Sequence, residues 1–284
     1  MKIAVLSGKG GTGKTLVSVN LASITEGSSY IDCDVEEPNG HLFFKPVDIK
    51  TEDISVKIPT VDNCLCNGCR KCVDFCKFNA LAYIQDNIKI FDDVCHSCGG
   101  CKIVCPENAI SERDKNIGEI QRGVSENVDV NTGILNTGEA SGIPIIKELL
   151  RESDNREFTF IDCPPGSACI VMESIKDADY CLLVAEPTLF GVHNLNMVYE
   201  LVRIFDKPYG VLINKCLDDD NPAEEFCIEK GIDILGKIPF DNELGTINSN
   251  AQIAVRADKE YLKMFSSILK RVTREVQDET AINP

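Results

Sequence analysis

The chain opens on a short apolar run, residues 2–6 (KIAVL), followed by a glycine-rich stretch and a helical pattern that ends near residue 25. Apolar runs of strand length recur at 30–32, 158–162, 180–185, 209–213 and 232–238. Helical patterns separate the last four, at about 167–177, 191–205 and 221–230. This alternation builds a parallel sheet buried on both faces. It predicts an α/β fold, a mostly parallel sheet covered by helices on both faces, with ligands at the carboxyl ends of the strands. A last helix carries Tyr261, Leu262, Met264, Phe265, Ile268, Leu269 and Val272 on one face. Its Lys263, Lys270 and Arg271 are offset by nearby acidic residues, so core packing is expected rather than membrane binding.

The interval 61–113 breaks this rhythm with dense cysteines. Cys66, Cys69, Cys72 and Cys76 recur as Cys95, Cys98, Cys101 and Cys105, each 29 residues on. Asn79-Ala80-Leu81 recurs as Asn108-Ala109-Ile110. Two copies of one unit are therefore expected as an insert over 61–113, within a larger domain made of 1–60 and 114–284.

Composition narrows the setting. No apolar run approaches the roughly 18 to 20 residues of a transmembrane helix, and the N-terminus lacks a charged segment and cleavage site, so a cytoplasmic protein without membrane insertion is expected. In a reducing cytosol, fifteen cysteines favour metal ligation over disulfides. The formal charge of −16 repels phosphate backbones, which argues against nucleic acid and favours basic protein partners.

Gly8-Lys9-Gly10-Gly11-Thr12-Gly13-Lys14-Thr15 matches G-x-x-x-x-G-K-[ST] between a strand and a helix. Backbone N–H groups of such a loop close around phosphates, Lys14 neutralises β and γ oxygens, and the Thr15 hydroxyl binds magnesium. With the additional Lys9, the loop resembles that of the MinD/ParA/Mrp group of P-loop ATPases, and the resemblance covers the chain outside the insert. It implies ATP and Mg2+ as ligands, and a homodimer or a heterodimer with a related ATPase, bridged by ATP, in which Lys9 reaches the partner's phosphates.

Asp32 and Asp34, past one strand end, and Asp162, at another, are the candidate acids. Asp32 and Asp162 are assigned to magnesium, and Asp34 to positioning the attacking water. Pro164, Pro165 and Gly166 form a loop suited to sensing the γ-phosphate. Asn214-Lys215 ends a further strand, but Leu217 stands where a guanine site would need aspartate, so ATP is favoured over GTP. Asn214 is expected to hydrogen-bond adenine, and Pro239 resembles the group's adenine-side loop.

The doubled C-x2-C-x2-C-x3-C pattern resembles the bacterial two-cluster ferredoxin. The resemblance implies two 4Fe-4S clusters, one on Cys66, Cys69, Cys72 and Cys105, the other on Cys95, Cys98, Cys101 and Cys76. Lys77 replaces the proline that Cys105-Pro106 retains. Cys64 is a spare thiol or an alternative to Cys66. Cys33, Cys181, Cys216 and Cys227 are expected to be small buried hydrophobes. Cys169 resembles in position a bridging-cluster ligand of the nitrogenase iron protein, without a second cysteine to complete such a site.

Three roles follow as expectations. The first is ATP-gated electron transfer to an unidentified redox or metallocofactor-assembly partner. The others are an iron-sulfur carrier or scaffold, and a MinD-like spatial regulator with redox-sensing clusters.

Overall fold

The computed structural model describes residues 1–151, 156–217 and 221–282, with side chains to residue 275. The first half runs β1 (Lys2–Leu6), α1 (Lys14–Ile24), β2 (Ser29–Asp32), α2 (Gly40–Phe44) and β3 (Val47–Val61). The cysteine-rich part follows with α3 (Lys71–Phe75), β4 (Leu81–Ile84), β5 (Asn87–Ile90) and α4 (Gly100–Ile103). The chain returns through β6 (Ile110–Ser125), β7 (Val128–Leu135), α5 (Ile143–Arg151), β8 (Thr159–Asp162) and α6 (Cys169–Ile175). It ends with β9 (Tyr180–Ala185), α7 (Leu189–Ile204), β10 (Tyr209–Cys216), α8 (Pro222–Lys230), β11 (Ile234–Pro239), α9 (Asn242–Ser249), α10 (Ala254–Ala257) and α11 (Lys259–Ile282).

The large sheet has the order β11-β10-β9-β1-β8-β2-β7-β6-β3. It is parallel from β11 to β7 and antiparallel where β6 meets β7 and β3. The central strands are almost entirely inaccessible, as sheet strands between two helical layers must be. One core, with Ile145, Leu149, Val198 and Val202, lies on one face, and another, with Val17, Leu21 and Phe265, on the other. On α11, Phe265, Ile268 and Val272 are buried as the periodicity requires, while Leu262 is exposed.

The hydrophobic pattern did not anticipate β3, β6 and β7. About one residue in three of β3 and β6 is charged, and they carry little apolar signal, because β3 is the sheet's edge and β6 before residue 118 pairs with β3 alone. They pair from Val47 with Val124 to Val61 with Ile110. Only residues 118–125 of β6 also pair with β7, so the ladder runs beyond the sheet and carries residues 62–109 at its far end.

The sequence repeat is also a backbone repeat. Gly68 and Ser97, Arg70 and Gly99, and Asn79 and Asn108 are each 29 residues apart, and all six have positive φ. Ala80 and Ala109 are both buried, and α3 and α4 start at equivalent positions. A small core of Cys72, Ala80, Leu81, Ile88, Cys101 and Ile110 holds the two copies together.

Candidate nucleotide and cysteine sites

The glycine-rich loop leaves β1 and opens α1 at the carboxyl edge of the sheet. Two of its glycines are required by space. A Cβ on Gly8 would lie 2.1 Å from the Asn194 carbonyl oxygen, and one on Gly13 would lie 2.1 Å from Asn214 Nδ2. Gly13 also has φ 101°, a backbone that disfavours side chains. The Ser7 and Thr12 hydroxyls both donate to the Lys9 carbonyl, at 2.8 and 3.1 Å.

Lys14 is buried among the candidate acids, 2.8 Å from Asp162 Oδ1 and 3.7 Å from Asp34 Oδ2. Burial pulls the ammonium pKa down, but the charge and hydrogen bond of Asp162, then Asp34 and Asp32, outweigh it and hold it above its ordinary value. The other Asp162 oxygen accepts from the Tyr30 hydroxyl at 2.9 Å. Asp32 is inaccessible, and accepts from the backbone N–H groups of Asp34, Asn39 and Gly40. Burial and the nearby Asp162 nevertheless raise its pKa. Burial likewise pushes Asp34 up to about 6, against the pull of Lys14.

The structure thus brings Lys14, Asp32, Asp34 and Asp162 together. Among the described residues no group of three His, Cys, Asp or Glu is placed to hold a single metal ion. At the aspartates, Lys14 stands between Asp162 and Asp34.

Lys9 turns sideways. Its ammonium pairs with Glu186 at 2.5 Å and lies 5.3 Å from the centre of the Phe190 ring. Glu186 also takes Lys215 at 2.7 Å, and Lys215 donates to the Gly11 carbonyl at 2.8 Å. Burial would raise the Glu186 pKa, but hydrogen bonds from Lys215 and Lys9 hold it below its ordinary value. The motifs missed Glu186 and Tyr30. Glu186 was detectable only by its place just past the end of β9, where ligands gather.

Asn214 lies at the end of β10, against the phosphate loop. Its amide N–H donates to the Thr12 carbonyl at 2.8 Å, and its Oδ1 accepts from Lys215 N–H at 2.9 Å. At 3% exposure it braces the loop from β10. Pro239 is exposed at the end of β11, beside Cys216 across the ladder.

The repeated cysteines line two cavities, and each cavity draws on both copies. Cys66, Cys69, Cys72 and Cys105 line one of about 20 Å³, with Asn67, Arg70 and Glu107 at its edge. Cys76, Cys95, Cys98 and Cys101 line one of about 330 Å³, with Phe75 and Phe78. Burial raises the Cys72, Cys95 and Cys101 thiols. The neighbouring charges that add to it come from Cys105 and Cys66 for Cys72, and from Cys98 and Cys76 for Cys95. Four thiols per cavity, in this crossed grouping, fit the donor set of a cubane cluster.

Of the other cysteines, Cys33, Cys181 and Cys227 are buried as expected, while Cys216 is only half-buried. Cys64 and Cys169 are exposed. The sequence reasoning passed over Cys163, which is fully buried beside Cys33 and Cys181. None of the described helices is long and apolar enough to cross a membrane.

Two uncharacterized proteins of Methanocaldococcus jannaschii are each 30% identical to this chain. One matches over 76% of this chain and 80% of its own length, the other over 93% and 96%. An iron-sulfur cluster carrier protein of Pyrococcus abyssi is 23% identical over 98% of this chain and 87% of its own length. Among solved structures, the cell division ATPase MinD of Pyrococcus furiosus superposes with a TM-score of 0.61 at 20% identity, covering 96% of this chain and 98% of its own. The septum site-determining protein MinD of Pyrococcus horikoshii, complexed with Mg-ADP, gives 0.60 at 18% identity, covering 95% of each chain. The CobQ/CobB/MinD/ParA nucleotide binding domain matches residues 3–254, and the chain belongs to that family.

Proposed function

We propose that this protein is a magnesium-dependent ATPase whose nucleotide cycle controls electron transfer through two 4Fe-4S clusters held by the 61–113 insert. The crossed cysteine grouping carries this reading. Cys66, Cys69, Cys72 and Cys105 would hold one cluster, and Cys76, Cys95, Cys98 and Cys101 the other. When bound, such clusters supply one-electron exchange.

Thr15, Asp32 and Asp162 would hold magnesium, Lys14 would leave its carboxylates for the β and γ phosphates, and Asp34 would orient water. Gly8, Gly10, Gly11, Thr12 and Gly13 wrap the phosphates. Pro239 and Asn214 would lie on the base side, Asn214 bracing the loop as well. Lys9 would exchange Glu186 for the phosphates of a partner subunit, giving an ATP-bridged dimer.

An iron-sulfur carrier is the second reading, favoured by relatives named as carriers that match nearly the whole chain. An anaerobic redox titration with and without Mg-ATP separates the two. A nucleotide-dependent shift of either potential supports gated transfer. Unmoved potentials, with iron passing to an apo-acceptor on ATP addition, would replace it with the carrier.

A further inference from the structure

A run of contacts joins the nucleotide site to the second cysteine cavity. Lys14 holds Asp162 and Asp34, and arriving phosphates would draw it from both. Asp34 is followed by Val35, which is fully buried. The Val35 carbonyl accepts from Leu135 N–H at 2.8 Å, and its side chain abuts Gly142 so closely that an added Cβ would lie 2.3 Å from Val35 Cγ2.

Between Leu135 and Gly142 the chain presents Glu139, which takes Lys115 Nζ at 2.8 Å. Lys115 also reaches Asp93 at 3.2 Å, two residues before Cys95. Arg113, two residues earlier on the same strand, pairs with Asp92. Lys115 and Glu139 are 15% and 12% exposed, so water and salt weaken this pair less than a surface pair. Among the described residues no ion pair ties the Cys66–Cys72 turn to the sheet in this way.

We infer that Glu139, Lys115 and Asp93 form a strut carrying the nucleotide state from the Asp34–Val35 segment to the Cys95 turn, so that Mg-ATP acts on the cluster of Cys76, Cys95, Cys98 and Cys101 and spares the other. This inference rests on the gated-transfer reading above and names its route. Movement of Val35 shifts the loop that bears Glu139. Any change in the Glu139–Lys115 distance then alters how much positive charge faces the Cys95 turn. A less neutralised ammonium there favours the more negative, reduced cluster.

Coupling between binding sites is reciprocal, so ATP must then bind oxidised and reduced protein with different affinity. The test measures ATP dissociation constants, with magnesium, for the full-length iron-loaded protein in air-free oxidised and dithionite-reduced forms. The wild type is expected to show a ratio of about fivefold or more. Glu139→Gln and Lys115→Met should each bring it below about twofold at unchanged iron content. Arg156→Met, which breaks an exposed pair with Asp129 at residues lining neither cysteine cavity, should keep the wild-type ratio. A ratio retained in both strut variants overturns the strut and leaves the functional reading standing. A ratio of one in the wild type removes both. Equal displacement of the two cluster potentials by Mg-ATP would also overturn the assignment to the second cluster.

Discussion

Replacing Asn214 by alanine separates two uses of one side chain. In the structure its amide joins the end of β10 to the phosphate loop through the Thr12 carbonyl and the Lys215 N–H. The substitution removes both hydrogen bonds, each worth about 0.5–1.5 kcal/mol net. It also strands the carbonyl of Thr12, a residue only 4% exposed, and an unpaired buried acceptor costs about 1–3 kcal/mol. These overlapping terms give about 2–3 kcal/mol, and Lys215, at φ 62°, loses the contact that fixes its left-handed backbone. A chain of this size loses about 2–4 °C per kcal/mol, so the nucleotide-free protein should melt about 5–10 °C lower. The assay is anaerobic thermal and urea denaturation followed by far-UV circular dichroism, with ATP and GTP binding measured on the same samples. Asn214→Asp keeps the acceptor for Lys215 but sets a carboxylate against the Thr12 carbonyl, and should be no better than alanine. If Asn214→Ala leaves nucleotide-free stability within about 0.5 kcal/mol while the preference for ATP over GTP collapses, the brace is wrong and the side chain reads the base.

Asp34 gives a pH signature. Its pKa, about 6 when folded against an ordinary 3.8, means that its carboxylate opposes folding above pH 6 and that the opposition disappears as pH falls towards 4. After discounting for its solvent exposure, the nucleotide-free wild type should gain about 0.4 kcal/mol from this group between pH 7.5 and 5.5. Asp34→Asn should lack that part of the slope, be more stable at pH 7.5 and hydrolyse ATP poorly; equal slopes in urea titrations would refute the reasoning. Lys14→Ala should abolish nucleotide binding in calorimetry while keeping about eight iron atoms per chain by elemental analysis, and joint loss would show that the two parts do not fold independently.

The parallel half of the sheet was legible because buried central strands are continuous apolar runs, and β1, β8, β9 and β10 appear near their expected positions. The glycine loop and the doubled cysteines were legible because their chemistry depends on spacing. The charged ladder of β3 and β6 was not, since β3 is an edge strand exposed along most of its length and β6 before residue 118 pairs with it alone, leaving little apolar periodicity to read. Glu186 and Tyr30 escaped for a different reason. Each acts on a residue far away in sequence, Glu186 on Lys9 and Tyr30 on Asp162, and only the fold creates those pairs. The Asn214 contact with Thr12 was hidden for the same reason, since the two residues are far apart in sequence.

Asp32, Asp34 and Asp162 face one ammonium, and burial already pushes Asp32 and Asp34 towards the protonated state. A triphosphate arriving alone would add negative charge to this group and take Lys14 from Asp162 and Asp34. Arriving with magnesium, it would bring a cation to offset the three carboxylates, of which Asp32 is oriented by three backbone N–H groups. Metal and nucleotide should therefore enter as one ligand. The lysine they would release is the one that pairs with Asp34, so on the proposed reading filling the site and disturbing the segment at Val35 would be a single event.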